Sequence, residues 1–385
     1  MAKAINIGMV GTKFMGKAHS NAWRQVGRFF DVPGRVVMKV ICGRDPKSTK
    51  DAAALYGWEE WTTSWKELIK RPDIHIIDVC TDNSTHAEIS IAAAKARKHV
   101  LCEKPLAMNL AQAKQMLKAV RDAGVTHMVC QNYRALPAVA LAKQLMDKKA
   151  LGEIFHWRAV YLQDWIVDPN FPLVWRLQKK YAASGAHGDL NEHLIDMARF
   201  LVGDITHVAG LMKTFVKERP LPAEIGTALA GKAGRGKGKV DVDDATMFLA
   251  KFENGAVGAF EATRFAPGHK NYNCFEINGS KGSIIFNLER MNELQYFDRG
   301  DPGNVQGFRT IQATDASHPY AGAWWPPGHI IGYEHSFIHT FYNLLTAVAR
   351  KKPASPSFED GVKSQAVLEA VAVSAKSGKW EKVPA

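Results

Sequence analysis

A lysine follows an acid and precedes a proline where an apolar run ends. The run at 99–102 stops at Glu103, and Lys104 and Pro105 come next. Pro105 sets a bend and has no N–H to donate to a neighbouring strand, so Lys104 can point away from that strand. In open α/β sheets, ligands bind at such carboxyl ends of strands. An ammonium group there can hold a substrate hydroxyl and tune the local proton affinity.

A second pair of titratable residues lies further along the chain. Asp189 and His193 are four residues apart in a predicted helix, so both side chains face the same side. His193 is the better acid or base, because an imidazole titrates near neutral pH. Asp189 can orient that ring or hold a neighbouring hydroxyl. The alternative is structural: Asp189 caps the helix and His193 packs against a domain interface.

A glycine turn follows the first apolar run and opens a helix, which is the context of a dinucleotide-binding fingerprint. Gly11 allows a tight turn, Gly16 lets the helix pack closely, and the helix N-terminus attracts a pyrophosphate. Lys13 stands where the usual G-x-G-x-x-G pattern has its middle glycine. Its side chain hinders close backbone approach, although its ammonium can itself meet phosphate. A purely structural turn is the alternative.

The end of the second apolar run bears on the choice of cofactor. An acid at this position holds the ribose hydroxyls of NAD, but here Gly43 is followed by Arg44. A guanidinium group suits the 2′-phosphate of NADP. We therefore predict NADP, with NAD as the alternative, because Asp45 could turn back to the ribose. An aspartate followed by a proline, as at Asp45, more often simply ends a strand.

The first third of the chain alternates short apolar runs with amphipathic helical stretches such as 84–96 and 110–123. This alternation predicts parallel βαβ units, and the continuously apolar strands indicate helices on both faces of the sheet. We therefore predict an α/β fold whose N-terminal part is a Rossmann doubly wound parallel sheet. The predicted strands are 4–10, 36–43, 74–80, 98–104 and 126–132.

The pattern changes after residue 133, where longer alternating strands predict an α+β domain with a large open, mostly antiparallel sheet. We predict two domains, 1–133 for the dinucleotide and 134–385 for substrate binding and oligomerisation. Loops are predicted at 217–240 and 299–332. The predicted strands are 153–163, 206–216, 244–252, 255–264, 272–278, 282–286 and 293–297, and the predicted helices are 135–149, 187–203, 333–351 and 359–377.

The composition is that of a soluble globular protein. The 385 residues are 46% hydrophobic and 23% charged, and no apolar run reaches the length of about 18 residues that spans a membrane. The N-terminus lacks a signal-peptide pattern. The five cysteines show no C-x-x-C spacing, so we expect free thiols in a reducing cytoplasm and no metal site.

The chain carries a formal net charge of +12, which raises the question of nucleic-acid binding. The basic residues are mostly scattered, and the tightest group, Gly231–Lys239, contains glycines but no interleaved aromatic residue. We interpret this group as a mobile surface loop. The excess charge then belongs to a solvated basic surface or to a pocket for an anionic cofactor.

Taken together, these motifs resemble the Gfo/Idh/MocA family of oxidoreductases over nearly the whole chain. The resemblance rests on "GMVGTKFMGKAH", "CTDNSTHAEISIAAAKARKHVLCEKPLA", "NYR" and "SGAHGDLNEHLIDMARFLVG". The segments "FMGKAHS", "NYRALPAVALAK", "YLQDWIVDPNFPLVWRLQK" and "VDVDD" resemble the levoglucosan dehydrogenases and related glycoside 3-dehydrogenases of that family.

The resemblance implies roles for particular residues. Lys104, Asp189 and His193 would be the catalytic group, and Trp175 with Arg176 would close over the nicotinamide or the substrate. His187 would be either a further polar contact or only a residue at the start of the helix. The implied cofactor contacts are Gly11, Lys13, Phe14, Met15, Gly16, Arg44, Thr81, Asn83, His86, Glu103, Trp175 and Arg176. The implied substrate contacts are Tyr133, Gln163, Asp164, Trp165 and His187.

The resemblance implies an NAD(P)-dependent dehydrogenase that oxidises a secondary hydroxyl, at C3, of a sugar, anhydrosugar or glycoside. The alternatives are a cyclitol (inositol) dehydrogenase, a glycosidase that oxidises its substrate transiently with bound NAD, and a non-catalytic regulator on the same fold. The expected partners are a small sugar or cyclitol and further copies of the chain, as a dimer or tetramer. Neither nucleic acid nor a membrane is expected as a partner.

Overall fold

The computed structural model describes residues 4–223 and 231–384, which fall into two compact units. The first unit runs to Asn132 and includes Tyr333–Gln365, and the second comprises Tyr133–Gly332 and the residues from Ala366 onward. The division predicted from sequence, 1–133 and 134–385, took each part as continuous and stays a prediction. Within the described residues, no helix combines the length and the apolar character needed to cross a bilayer.

Most of the predicted helices are present at nearly the predicted positions, whereas the helices at 46–56, 65–70 and 179–182 were not predicted. Asn109 accepts a hydrogen bond from the backbone N–H of Gln112, and Gly124 adopts a left-handed conformation, so capping residues explain both ends of one helix. The helices are α1 (Phe14–Phe29), α2 (Pro46–Tyr56), α3 (Trp65–Lys70), α4 (His86–Lys95), α5 (Leu110–Ala123), α6 (Pro137–Asp147), α7 (Lys179–Ala182), α8 (Glu192–Leu201), α9 (Tyr333–Arg350) and α10 (Phe358–Ser377).

The strands likewise match most of the predicted runs. They are β1 (Ala4–Val10), β2 (Arg35–Cys42), β3 (Glu60–Thr62), β4 (Ile76–Val79), β5 (His99–Cys102), β6 (His127–Val129), β7 (Ile154–Leu162), β8 (Ile205–Lys213), β9 (Glu218–Pro222), β10 (Ala233–Lys239), β11 (Ala245–Phe252), β12 (Val257–Thr263), β13 (Tyr272–Gly279), β14 (Gly282–Asn287), β15 (Glu293–Asp298), β16 (Arg309–Gln312) and β17 (Glu381–Lys382).

The first unit contains a parallel sheet in the order β3-β2-β1-β4-β5-β6. The predicted doubly wound parallel sheet is therefore confirmed. Strand β3 was missed, because three partly exposed residues carry no apolar run. Buried residues of β4 and β5, such as Val79 and Val100, pack with Ala93 of α4 and Met116 of α5. This core holds the carboxyl ends of the central strands in place.

The second unit contains a nine-stranded sheet in the order β16-β15-β14-β13-β7-β12-β11-β8-β17. Strands β7 and β12 are parallel, and the other neighbouring pairs are antiparallel. The predicted open, mostly antiparallel sheet is confirmed. Residues 299–332 are mostly irregular, as predicted, but they include the short strand β16.

The predicted loop at 217–240 is wrong for its described residues, because β9 and β10 form an antiparallel hairpin. The buried guanidinium group of Arg219 donates to the carbonyl oxygens of Ile166 (2.6 Å) and Asp168 (2.8 Å). A Cβ at Gly238 would lie 2.5 Å from Leu173, so a glycine there lets β10 approach closely. Tertiary contacts thus override a weak strand propensity. Residues 224–230 lie outside the described part of the chain.

All five cysteines are free thiols. Those at 42, 80, 102 and 130 are buried, and Cys274 is partly buried.

Candidate functional site

The turn after β1 has the backbone geometry that a dinucleotide requires. Gly11 has a φ of 122°, in the left-handed region, and a Cβ there would overlap the carbonyl oxygen of Cys80. A Cβ at Gly16 would overlap the carbonyl oxygen of Gly11, so α1 packs directly on the turn. Glycine is therefore required by geometry at both positions.

The N-terminus of α1 is open to an anion. The helix begins at Phe14, its first turn contains no acidic residue, and Lys13 at the N-cap position makes no capping hydrogen bond through its side chain. Lys13 and Phe14 are exposed, and Met15 is partly buried. The positive end of the α1 dipole and the ammonium group of Lys13 both attract a pyrophosphate, so these residues suit the predicted cofactor. Their individual contacts with it stay predictions.

The end of β2 presents an arginine. A Cβ at Gly43 would overlap the hydroxyl of Thr49 and approach Thr12, so no acid fits at this position. Asp45 caps α2 by accepting a hydrogen bond from the backbone N–H of Ser48 (2.7 Å), and this bond lowers the pKa of Asp45. Arg44 is exposed beside it.

A network of buried polar side chains lies behind the ends of β4 and β5. His19 Nδ1 lies 3.0 Å from Asp78 Oδ1, His19 Nε2 lies 3.0 Å from Glu103 Oε1, and Trp23 Nε1 donates to Asp78 Oδ2 (2.7 Å). Burial alone would lower the pKa of His19, but the Asp78 carboxylate raises it well above its ordinary value. Burial opposes ionisation of Glu103, yet its contact with His19 holds the pKa of Glu103 below the ordinary value. The raised pKa of His19 and the lowered pKa of Glu103 favour the imidazolium form of His19 in this network.

This network extends to the backbone of Lys104. Glu103 Oε2 accepts a hydrogen bond from the backbone N–H of Lys104 (3.2 Å), and Glu103 is 4% exposed while Lys104 is half-buried. The side chain of Glu103 thus supports the segment that carries Lys104. Its predicted approach to the nicotinamide stays a prediction.

The same network contains two groups of potential metal ligands. His19 belongs to both, with Glu103 and Cys130 in one group and with Asp78 and Cys80 in the other. Burial raises the pKa of Cys130 to about 12 and the pKa of Cys80 well above its ordinary value. His19 lies within hydrogen-bond distance of Asp78 Oδ1 (3.0 Å), Cys80 Sγ (3.1 Å) and Glu103 Oε1 (3.0 Å). We therefore interpret the groups as a hydrogen-bonded network.

His86 joins two loops at this edge of the sheet. Its Nδ1 lies 3.0 Å from the carbonyl oxygen of Pro105 and its Nε2 lies 3.3 Å from that of Thr81. The ring is completely buried, and burial lowers the pKa of His86. His86 therefore positions the loops after β4 and β5. Thr81 and Asn83 are partly exposed at this edge, so they are better placed than the buried His86 to contact a cofactor.

The predicted helix at 187–203 is not a continuous α-helix. A π-helical turn, His187–Asn191, precedes α8 and contains Asp189. The carboxylate of Asp243 accepts hydrogen bonds from the backbone N–H groups of Gly185 and His187 (2.7 Å each), which fixes the start of the turn. Such turns occur frequently at functional sites. Asp189 does not cap the helix, which removes one structural alternative.

Asp189 faces two arginines. Its Oδ2 accepts a hydrogen bond from Arg264 and lies 3.1 Å from Arg176 NH1. The guanidinium group of Arg264 lies over the ring of Trp165 (5.1 Å), and that of Arg176 lies over Trp175 (4.6 Å). Arg176 therefore contacts Asp189 directly, and Trp175 lies next to Asp189 through its contact with Arg176. Their predicted closure over a nicotinamide stays a prediction.

His193 lies in the first turn of α8 and contacts an aromatic ring. Its ring centroid is 4.4 Å from that of Tyr133, and its residue is 6% exposed. The hydroxyl oxygens of Tyr133 and Tyr161 are 3.0 Å apart. The structure therefore brings the predicted acid/base residue and one predicted substrate contact together.

A hydrogen-bonded series extends from these tyrosines. Tyr161 donates to Asn271 Oδ1 (2.8 Å), Gln163 Nε2 donates to the same oxygen (2.9 Å), and Trp165 Nε1 donates to Gln163 Oε1 (2.8 Å). Side chains of this kind offer hydroxyl partners and aromatic faces to a polyol. Gln163 and Trp165 were predicted as substrate contacts, and the structure links them to Tyr133.

Two predicted substrate contacts are engaged elsewhere. Asp164 pairs with Lys270 (2.7 Å) and accepts from the backbone N–H of Gly268 (3.1 Å), and the Lys270 contact lowers the pKa of Asp164. The ring of His187 is buried, and its Nε2 lies 2.9 Å from the carbonyl oxygen of Leu368. Burial lowers the pKa of His187. These contacts anchor a loop and the start of the π-helical turn, and they give no support to a substrate role.

Sequence reasoning missed several residues of these clusters, and four of them differ in the signal that they leave in the sequence. Arg264 directly follows strand β12, so the strand-end argument used for Lys104 could have found it. His19 lies on the buried face of α1, where a histidine is a recognisable polar exception. Tyr161 and Asn271 meet only through sheet pairing and a loop, and no local pattern indicates them.

Comparison with known proteins agrees with these features. Residues 5–131 match the model of an oxidoreductase family with an NAD-binding Rossmann fold, and residues 139–285 match the GFO/IDH/MocA C-terminal domain. The chain is 46% identical to levoglucosan dehydrogenase from Pseudarthrobacter phenanthrenivorans over 384 residues, covering 99% of this chain and 98% of that protein.

Two solved structures are similar over their whole length. An oxidoreductase domain protein from Kribbella flavida has a TM-score of 0.95 and 48% identity, with 100% of both chains covered. Levoglucosan dehydrogenase in complex with NADH and levoglucosan has a TM-score of 0.94 and 45% identity, with 99% of this chain and 100% of that chain covered.

Proposed function

Because the chain belongs to the Gfo/Idh/MocA family of oxidoreductases, we propose that it is an NAD(P)-dependent dehydrogenase that oxidises a secondary hydroxyl, at C3, of a sugar, anhydrosugar or glycoside. The observation that carries this proposal is the cluster of Asp189, His193 and Tyr133 beside the series of Gln163 and Trp165. Acid/base, hydroxyl-binding and aromatic groups are what a polyol oxidation requires.

Each residue of the proposed catalytic group has a distinct task. His193 accepts the hydroxyl proton, because an imidazole is the side chain best matched to proton transfer near neutral pH. Lys104 stabilises the negative charge that develops on the same oxygen. Asp189 accepts a hydrogen bond from a neighbouring hydroxyl. A bound nicotinamide cofactor supplies the acceptor for the hydride that leaves the hydroxyl carbon.

The cofactor proposal is NADP in preference to NAD. It is supported by the exposed Arg44 and by Gly43, whose surroundings leave no room for an acid. Asp45 is used as a helix cap and therefore competes poorly for a ribose. The alternative, NAD, is favoured by the similar levoglucosan dehydrogenase, which was solved with NADH.

The partner proposal is a homo-oligomer formed through the open face of the second sheet. Leu211 and Met247 are opposite each other on β8 and β11, and Leu249 and Val257 continue the same face. These four side chains are between 47% and 63% exposed. A large apolar patch of this kind favours association with another surface, and the sheet offers the same patch on each copy.

A substrate screen tests the proposed function. The full-length protein is incubated with sugars, anhydrosugars, glycosides and cyclitols, each with NAD and with NADP, and the absorbance of the reduced nicotinamide is followed. Net reduction with a sugar or anhydrosugar supports the proposal. Turnover of cyclitols alone, or glycoside cleavage without net reduction of the cofactor, would favour the corresponding alternative.

A further inference from the structure

Arg264 stands out as a buried cation that no catalytic assignment covers. It follows β12 directly, its side chain is 1% exposed, and its backbone N–H donates to the carbonyl oxygen of Asp244 (3.1 Å). Burial of a guanidinium group costs free energy unless an anion pairs with it. Burial indeed lowers the pKa of Arg264, and the carboxylate of Asp189 opposes that shift.

The geometry joins this cation to the π-helical turn. Arg264 NH2 donates to Asp189 Oδ2, and Arg176 NH1 lies 3.1 Å from the same oxygen. The two arginines differ in their surroundings, because the side chain of Arg176 is 17% exposed whereas that of Arg264 is almost completely buried. Both guanidinium groups lie over a tryptophan ring, Arg264 over Trp165 and Arg176 over Trp175. Arg264 is therefore distinguished from Arg176 by its deeper burial.

Resting on the proposed function, we propose that Arg264 is a positioning residue that holds the carboxylate of Asp189 in the orientation needed to bind a substrate hydroxyl. Asp189 then serves as a substrate-binding acceptor, and proton transfer is left to His193. A carboxylate oriented by a buried guanidinium group keeps one direction, whereas a carboxylate in a helical turn without such a partner can rotate about χ1 and χ2. Arg264 thereby acts on the substrate through Asp189.

This role predicts a particular kinetic signature. Arg264→Met should raise the KM for the sugar about 10- to 100-fold. The reason is that the misoriented Asp189 carboxylate loses its charge-assisted hydrogen bond with the substrate hydroxyl, which contributes about 1.5–3 kcal/mol. The kcat should change far less, and the pH profile that His193 sets should keep its shape. Arg264→Lys keeps the charge but not the planar fork, so it should recover part of the lost affinity. Arg290→Met, which removes an arginine that is 66% exposed, is the matched control.

A double-mutant cycle separates positioning from a merely structural role. If Arg264 acts through Asp189, Arg264→Met should raise KM strongly in the wild type but little in the Asp189→Asn background. Equal effects in both backgrounds, or a loss confined to kcat, would overturn the proposal. The midpoint of thermal unfolding is measured for every variant, and Arg264→Lys carries the test if Arg264→Met does not fold.

Failure of the proposed function has a different signature. In that case neither the wild type nor any variant at position 264 reduces NAD or NADP with any sugar. Sugar binding to the cofactor-loaded protein is then measured by calorimetry in the wild type and the three variants of the cycle. Coupling between positions 189 and 264 in that affinity would support the positioning role, and additive effects would overturn it.

Discussion

At the scale of single residues, the proposed chemistry depends on a few polar side chains whose surroundings the structure shows. Lys104 is carried by a segment that Glu103 supports, and His193 packs against Tyr133. The sequence indicated both residues through their spacing and their place after predicted elements. It did not indicate Asn271, because its partners Tyr161 and Gln163 are more than 100 residues away along the chain, whereas Arg264 directly follows a strand and was overlooked. Only the folded sheet brings such groups together.

Replacing either proposed catalytic residue should reduce turnover without preventing cofactor binding. We expect Lys104→Ala and His193→Ala each to lower kcat about 10²–10⁴-fold, the usual contribution of a well-placed acid/base or charged group. Steady-state kinetics and fluorescence titration with the reduced cofactor measure the two effects. The exposed His329 supplies the control, His329→Asn, which should leave kcat unchanged. Turnover within threefold of the wild type would remove the residue concerned from the mechanism.

The side chain at position 44 should determine the cofactor preference. We expect kcat/KM to favour NADP about 10- to 100-fold, because a guanidinium–phosphate hydrogen bond contributes about 1.5–3 kcal/mol. Arg44→Ala should abolish that preference, whereas Lys47→Ala, at an exposed position in the same segment, should alter it less. If the wild type prefers NAD, or if Arg44→Ala leaves the ratio unchanged, the cofactor proposal is wrong.

At the scale of elements, the buried network of His19, Asp78 and Glu103 ties α1 to the ends of β4 and β5. The sequence predicted these three elements correctly, because apolar runs and a glycine turn are local signals. It missed the contact among them, since a histidine on a helix face does not reveal which strands lie opposite. The hairpin of β9 and β10 and the π-helical turn were missed for the same reason. The hairpin depends on the hydrogen bond from Arg219 to the carbonyl oxygen of Ile166, and the π-helical turn depends on the carboxylate of Asp243.

The network should make stability depend on pH in a predictable direction. The pKa of His19 is raised in the folded state, so its contribution is fully present below about pH 6.5 and is lost as pH rises through the folded-state pKa. His19→Gln leaves the buried Asp78 and Glu103 without their cation, and we expect a loss of about 3–5 kcal/mol near neutral pH. Urea unfolding of both proteins at several pH values measures this difference in free energy.

The difference between wild type and His19→Gln should shrink as the pH increases. His329→Gln provides the control for replacing an exposed histidine and should show no such trend. A difference that stays constant from weakly acid to alkaline pH would contradict the assignment of His19 as an imidazolium.

At the scale of the whole molecule, the two kinds of sheet predicted from sequence are both present. The sequence could indicate them because buried parallel strands and half-exposed antiparallel strands have different hydrophobic patterns. It could not show that Tyr333–Gln365 belongs to the first compact unit, since a helix pattern does not reveal its packing partner. The open face of the second sheet was anticipated from the same alternation of residues.

A charge placed on that face should disrupt the proposed oligomer. We expect the wild type to be a dimer or tetramer and Leu249→Asp to dissociate, because an aspartate within an apolar interface loses its hydration. Light scattering over a range of concentrations measures the mass. Leu55→Asp, which changes an exposed leucine on α2, is the control and should keep the wild-type mass. A wild type with the mass of a single chain at every concentration would contradict oligomerisation.

The central claim, removal of hydride from a sugar carbon, is tested most directly by isotope transfer. Levoglucosan or a glycoside carrying deuterium only at C3 is incubated with the full-length protein and NADP or NAD, and the reduced cofactor is analysed by mass spectrometry. We predict one deuterium in each molecule of reduced cofactor and equal amounts of reduced cofactor and keto sugar. In the same time, Lys104→Ala should form almost no reduced cofactor. Reduced cofactor without deuterium would place the oxidation at another carbon, and the absence of any reduced cofactor with these and the other polyols would contradict the proposed dehydrogenase activity.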